Sequence, residues 1–377
     1  RKAGPQTDPS IATKLPEEPI FTARSSGPNS DLDLFVMRPD GSHLRNITNT
    51  PKFDEYSARV SPDGKKVLYR RATKKNRVRI SIRLPQDVGN VAMRTRPATG
   101  TLVIANADGS DPKPLGSDGA YAWATWGPKG KRIACLEKVE TKKPAADKTT
   151  GRGQQKSSYQ IVIREADTLK VVNSLPSGGI HSQAIWSPDG KRKCGPTNIR
   201  PGKARYGKGI EYPLGRGKMA SLDIETGKRT AMAYFPDWSP VWATDSDGDW
   251  FQGGSPQILH SANNYGTCPA YYAMLWRSGL QRKPSELVFG EFKKHIWGGC
   301  TSPDDRYAIF VIGGETWPLQ GTMAVIRLAD APIARGRSPL FHEVLADYFP
   351  NLKQGPVLDL PHVPEGFEPY WTRVLGR

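Results

Sequence analysis

Tyr56-Ser57-Ala58-Arg59-Val60-Ser61-Pro62-Asp63-Gly64-Lys65 reads as a short strand running into a tight corner. Proline presets the first corner torsion, aspartate bonds to nearby backbone, and glycine takes the left-handed position. The pattern returns as Trp126-Gly127-Pro128-Lys129-Gly130-Lys131 and as Trp186-Ser187-Pro188-Asp189-Gly190-Lys191. A looser copy is Thr301-Ser302-Pro303-Asp304-Asp305-Arg306, and a degenerate one is Trp242-Ala243-Thr244-Asp245-Ser246-Asp247-Gly248. Aligned on the corner, the copies start at 61, 127, 187, 245 and 302, at intervals of 66, 60, 58 and 57 residues. So steady a period predicts an array whose units bury their apolar faces only against one another.

Working outward, each unit reads as four short strands, a to d. The first corner joins a to b, a variable connection joins b to c, and a second corner such as Asn106-Ala107-Asp108-Gly109-Ser110 joins c to d. Alternating strands between such corners predict antiparallel meanders. The second unit is expected at 121–126, 132–137, 160–164 and 169–173. The third is expected at 182–186, a poor strand near Lys193, 219–224 and 229–233. The fourth is irregular (238–243, 250–259, 270–276, 286–289), and the fifth falls at 296–301, 307–312, 322–327 and 340–345. The amino-terminal strands 19–23, 32–37 and 44–48 supply b, c and d with no a before them; 368–373 supplies an a with nothing after it. Joined, they complete a sixth unit. The fold expected is therefore all-β, a six-bladed β-propeller whose last blade is closed by the carboxy-terminal inner strand, which hides sheet edges. A seventh blade within the fourth unit is the alternative. Residues 1–18 are polar and Pro-rich and read as an arm, leaving 19–377 as one domain.

The corners resemble the PD40 (WD40-like) repeats of TolB-type propellers. The resemblance is strongest over 35–64, where Met37-Arg38-Pro39-Asp40-Gly41-Ser42, Thr48-Asn49-Thr50-Pro51 and the first Ser-Pro-Asp-Gly-Lys corner stand in register, and over 182–191. Fewer than twenty residues precede the first expected strand, too few for the α/β domain that TolB carries ahead of its propeller. The resemblance implies a periplasmic or secreted propeller, and it specifies fold more than function.

The net charge is +17, and its placement is informative. Segment 71–100 holds 8 basic and 1 acidic residues, 139–158 holds 5 and 2, and 191–218 holds 9 and 1. These three account for the whole excess, and all three are b–c connections. Strand direction alternates, so the Pro-Asp-Gly corners share one face, and the b–c and d–a connections share the other. That second face is expected to be irregular and positive. Lys74, Lys75, Arg77, Lys203, Arg205 and Lys208 are its candidate contacts for an anionic glycan or an acidic protein, since clustered charge raises encounter rates. Tyr265, central in the polar loop 261–266, is a candidate sugar contact. Nucleic acid is disfavoured, because the basic segments lack interleaved aromatics for base stacking.

The same parity sets His181, His295 and His362 ahead of inner strands, where they could ring the central channel and hold a divalent transition metal, with Gln183 or Asp54 and Glu55 as companions. The second functional reading is accordingly a metal-dependent polysaccharide lyase or hydrolase, loosely similar to propeller lyases that cleave uronate oligomers at such a metal. Asp245, Asp247 and Asp249 imitate the start of a calcium loop, but the glycine and glutamate of that loop are missing, and the corner reading is preferred. Cys135, Cys194, Cys268 and Cys300 show no CxxC spacing, which argues against zinc or haem attachment; thiols or one disulfide remain open. There is no apolar run long enough for a membrane span, and no nucleophile elbow, phosphate loop or HExxH helix.

Overall fold

The computed structural model describes residues 8–25, 32–73, 78–83, 91–96, 100–139, 158–176, 185–187, 190–197, 203–206, 210–213, 218–224, 226, 228–231, 248–250, 255, 257–262, 274–279, 286–290, 295–313, 321–331, 357–364 and 366–371. A 3-10 helix over Pro9–Lys14 comes first, capped by Asp8, whose Oδ1 accepts the Ser10 N–H at 2.9 Å. The strands then run β1 (Ile20–Ser25), β2 (Leu32–Met37), β3 (Arg45–Asn46), β4 (Phe53–Val60), β5 (Lys66–Thr73), β6 (Val78–Arg83), β7 (Val91–Arg96), β8 (Thr101–Asn106) and β9 (Lys113–Leu115). They continue as β10 (Tyr121–Trp126), β11 (Arg132–Val139), β12 (Ser158–Glu165), β13 (Val171–Pro176), β14 (Ile185–Trp186), β15 (Arg192–Thr197), β16 (Lys203–Tyr206), β17 (Ile210–Pro213), β18 (Lys218–Asp223) and β19 (Arg229–Ala231). The rest are β20 (Gly248–Trp250), β21 (Gln257–Ala262), β22 (Met274–Gly279), β23 (Glu286–Phe289), β24 (His295–Thr301), β25 (Tyr307–Gly313), β26 (Gly321–Arg327), β27 (Val357–Pro364) and β28 (Gly366–Trp371).

Among the described residues these strands form antiparallel four-stranded sheets in the orders β4-β5-β8-β9, β10-β11-β12-β13, β14-β15-β18-β19, β20-β21-β22-β23, β24-β25-β26-β27 and β28-β1-β2-β3. The last joins the two ends of the described chain, with Ile20 opposite Trp371 and Phe21 opposite Tyr370. The first strands of the sheets touch in cyclic order: β4 meets β10, β10 meets β14, β14 meets β20, β20 meets β24, β24 meets β28, and β28 meets β4. Register shifts recur in these first strands, between Tyr56 and Arg59, Tyr121 and Trp123, and Trp297 and Gly299. Bulges of this kind bend a strand and increase its twist.

Period-two alternation packs each sheet against both neighbours. On β25, Ala308 and Phe310 face the sheet of β20–β23 beside Leu259, Leu275 and Phe289, while Ile309 and Val311 face the other way beside Ile20 and Met37. The Phe289 and Phe310 rings lie 4.9 Å apart at 38°. Trp123, Leu136 and Ile161 meet Trp186 and Leu222 across the next seam but one from the chain ends. The 3-10 helix joins this packing through Ile11, buried beside Ile20 and Tyr307, so the stretch read as an arm is anchored from Asp8 onward.

The corners explain the repeat. The Gly64 N–H donates to the Ser61 carbonyl at 2.8 Å with Gly64 at φ 72°, and the Ser61 N–H donates to the Lys66 carbonyl at 2.8 Å. The Ser61 hydroxyl donates to Asp63 Oδ1 at 2.5 Å and accepts the Lys66 N–H at 2.9 Å. Ser302 and Asp304 repeat this with Tyr307, and there Asp305 takes the left-handed position at φ 56°. In four of the units the second corner docks on the first: Ala107, Ala166, Ile224 and Leu328 donate to the carbonyls of Lys65, Lys131, Lys191 and Arg306. Both kinds of corner therefore lie at one end of their sheets.

Two units differ from expectation. In the fourth, 238–243 lies outside the described residues, and the first strand is β20, paired with β21 through Trp250 and Ile258. The β20–β21 connection therefore spans 251–256, of which Ser255 is described, and Gly248, expected in the corner, stands in β20. Ser255 there donates to Asp305 of the next corner at 3.4 Å, which keeps the series unbroken. In the fifth unit, 340–345 lies outside the described residues and β27 supplies the fourth strand. Its prolines are tolerated because it is an edge strand.

Candidate functional site

The site is best built from the ends of β5 and β8. Lys66 pairs with Asn106 at the corner end, and Arg71 pairs with Thr101 at the other. Between these two strands the chain makes a separate ribbon, β6 paired with β7. The same device recurs in the third unit, where the β16–β17 ribbon is inserted between the paired strands β15 and β18. Both ribbons leave their sheets at the end opposite the Pro-Asp-Gly corners, as strand parity requires.

The ribbon strands carry six basic residues and one acidic one. The first holds Arg79, Arg83, Arg94 and Arg96, none of which is the cross-strand partner of another. The second holds Lys203 opposite Pro213 and Arg205 opposite Glu211. This register spaces like charges along the ribbon instead of stacking them directly opposite, which would be destabilising.

At the end of β4 and β5 where the first ribbon leaves, a cluster of charge is buried. Glu55 and Arg71 are cross-strand partners on β4 and β5, joined through Glu55 Oε1 and Arg71 Nε at 3.0 Å. The Thr50 hydroxyl donates to the same oxygen, whereas Oε2 is buried with no hydrogen-bond partner. Burial raises the Glu55 pKa, against the opposing influence of Thr50 and Arg71. Arg71 Nη2 also donates to the Tyr69 hydroxyl at 2.8 Å, and burial pushes that phenol up to about 12. Asp54, fully buried, accepts the Leu32 N–H at 3.1 Å and so ties β4 to the sheet that joins the chain ends. Arg70 crosses to the next sheet, donating to the carbonyls of Ala122 and Gly100. Arg59 lies 4.9 Å from the Trp123 ring centroid. These groups fix a rigid, internally paired floor; they do not form a nucleophile with a base.

The sequence-derived candidates divide accordingly. Lys203 and Arg205 stand on β16; Lys74, Lys75, Arg77, Lys208 and Tyr265 lie outside the described residues, as do Asp245 and Asp247. Asp249 is in β20, extended backbone and not a corner. His295 heads the first strand β24, whereas His362 lies within β27, the outermost strand of the same sheet. The expectation that His362 stands in a sixth blade ahead of its inner strand is thereby corrected: 357–364 is consumed as a fourth strand. His181 lies outside the described residues. Asp54 and Glu55, expected as channel companions, are instead engaged in the seam. Among the described residues no three metal-ligating side chains gather. Cys135 and Cys300 are buried in apolar clusters. Sequence reasoning missed the roles of Arg70 and Arg71, although two adjacent arginines within the apolar run 67–72 were a visible signal.

No protein-family model and no curated protein sequence matches the chain. Solved structures do. TolB from Acinetobacter baumannii superposes with a TM-score of 0.58 at 12% identity, over 95% of this chain and 68% of that one. A putative TolB from Agrobacterium tumefaciens gives 0.48 at 16% identity, over 82% and 85%. The β-propeller domain of the Trilobed protease from Pyrococcus furiosus gives 0.45 at 10% identity, over 91% and 98%. No helix among the described residues is long and apolar enough to cross a membrane. The sheets, their shared corners and the Acinetobacter superposition together make this fold a TolB-like β-propeller.

Proposed function

We propose that the chain is a six-bladed propeller, closed by β28, that works outside the cytoplasm as a binding module. Its ribbon-bearing face engages an anionic glycan or an acidic protein. The cyclic contacts among first strands support the blade count, and the likeness of the corners to TolB-type repeats supports the location. One observation carries the binding reading: two basic β-ribbons, from separate sheets, leave at the same end of the molecule. The ribbons set Arg79, Arg83, Arg94, Arg96, Lys203 and Arg205 on paired strands, and the Glu55–Arg71 pair ties β4 to β5 at the end where the first ribbon leaves. Attraction of this kind between exposed charges is screened by salt.

The test is retention on immobilised heparin, on alginate and on an acidic peptide at low and high salt. Wild-type protein should bind at least one matrix in a salt-sensitive manner. A variant with Lys203→Ala, Arg205→Ala and Lys208→Ala, and a second with Lys74→Ala, Lys75→Ala and Arg77→Ala, should elute much earlier. Retention that is unaltered in both variants would end the proposal. The matrix that retains the protein most strongly separates glycan from acidic protein.

A further inference from the structure

At the corner end, away from the ribbons, a groove of about 540 Å³ lies where β22, the corner of β24–β25, the end of β26 and the 3-10 helix over Pro9–Lys14 come together. Its polar lining is Lys14, Arg277, Asp305, Arg306, Tyr307 and Arg327; Leu328 and Ala331 give it an apolar wall. Its volume is in the range of small-ligand pockets.

The hydrogen-bond inventory is one-sided. Arg277 Nε binds Glu286 Oε2 at 2.7 Å, Arg306 Nε binds Asp304 Oδ2 at 2.6 Å, and Arg327 grips Asp330 through Nε and Nη2 at 2.6 and 2.9 Å. Asp305 is engaged as well: Oδ1 accepts the Thr301 hydroxyl at 2.8 Å and Oδ2 the Ser255 N–H at 3.4 Å. Asp8 lies close enough to Arg327 and Lys14 for their charges to lower its pKa, after the larger effect of its bonds to Ser10. The nearby carboxylates thus already have partners. Among the described residues the donors do not run out: Arg277 and Arg306 each spend only Nε, leaving the two Nη groups, and Lys14 forms no ion pair there. Tyr307 is 3% exposed and lines the groove, and among the described residues its hydroxyl has no hydrogen-bond partner. A guanidinium with both Nη groups available takes a carboxylate through two parallel bonds.

The geometry points to a binding site for a small organic carboxylate, its anionic end held by Arg277, Arg306, Lys14 and the Tyr307 hydroxyl, and its apolar body against Leu328 and Ala331. Surplus donors with satisfied acceptors select an acceptor-rich anion, and the apolar wall favours an organic acid over an inorganic ion. Such a carboxylate has two sources, a free carboxylic acid or the carboxy terminus of a peptide. The site is independent of the ribbon face, so neither proposal stands or falls with the other.

Calorimetric titration of the full chain with hexanoate, with acetyl-Ala-Leu as the free acid, and with acetyl-Ala-Leu amide tests it. The acids should bind, and the amide should bind at least about tenfold more weakly, the discrimination expected for a charge-assisted pair. Arg306→Ala combined with Lys14→Ala, both exposed positions, should weaken the acids by about tenfold without lowering the melting temperature of unliganded protein. Tyr307→Phe should weaken them less. Binding of both acids identifies free acids as sufficient; binding of the peptide acid alone identifies a chain terminus. Equal binding of acid and amide, affinity unchanged in the double variant, or no binding of either acid would overturn the assignment.

Discussion

Glu55 is the residue with the clearest energetic signature. Burial outweighs Thr50 and Arg71 and raises its pKa. A carboxyl whose folded pKa lies above the unfolded value, about 4.3, adds stability that is complete below that value. It is lost as pH climbs through the raised folded pKa. Glu55→Gln should therefore narrow the stability difference between mildly acidic and neutral pH, read as denaturation midpoints across that window. Parallel pH curves for the two proteins would refute this. Glycines give a second residue-scale contrast. A Cβ on Gly109 (φ +89°) would sit 1.8 Å from the Ile47 carbonyl oxygen, whereas on Gly130 (φ +69°) its nearest neighbour is Pro62 Cδ at 3.5 Å. Gly130→Ala should cost only the left-handed torsion, about 1 kcal/mol. Gly109→Ala should cost at least about 2 kcal/mol, because backbone must also move. Urea denaturation of the pair checks the order.

At the scale of the element, sheets are joined by side chains reaching across seams. Trp126 Nε1 donates to the Arg59 carbonyl of the preceding sheet at 2.8 Å. Trp126→Phe keeps most of the packing and removes that bond, so a loss of about 1–2 kcal/mol is expected in chemical denaturation. Phe310→Ala empties a fully buried position and should cost about 3–5 kcal/mol. Elements were legible where chemistry is local. Ser61, Pro62, Asp63 and Gly64 make their corner almost entirely from one another, so their sequence announces it. In the fourth unit the sequence between β20 and β21 lacks the Ser-Pro-Asp-Gly pattern, while the look-alike run beginning at Asp245 ends on Gly248, a residue of β20. The strand at 357–364 was read past because an edge strand has one neighbour and carries a weak pattern. For the candidate site, parity set the two described ribbons, β6–β7 and β16–β17, at the end opposite the corners. The alternation Val78-Arg79-Ile80-Ser81-Ile82-Arg83 that makes one of them a ribbon went unread. The Glu55–Arg71 pair needs the register of β4 on β5, which no single stretch reveals, and the groove at Arg277 and Tyr307 needs two sheets and the 3-10 helix.

At the scale of the molecule, the sheet that holds both ends of the described chain matters most. Without β28, β1 keeps β2 but loses its partner on the other side and presents a bare edge bearing Ile20 and Phe21, a template for pairing between chains. A chain ending at residue 365 should therefore associate or fail to fold cooperatively, as judged by gel filtration and thermal melting; a monomer with the wild-type transition would contradict this reading. The pairing of Ile20 with Trp371 also has a temporal side. Closing so long a span carries a large entropic cost and delays completion of the fold. During synthesis β1 to β3 are made before the strand that completes their sheet, and they wait with one flank unzipped while the intervening sheets are delivered. The vulnerable interval thus falls on β1 to β3 and ends only when β28 has been delivered, which makes these strands the natural place for a chaperone to hold.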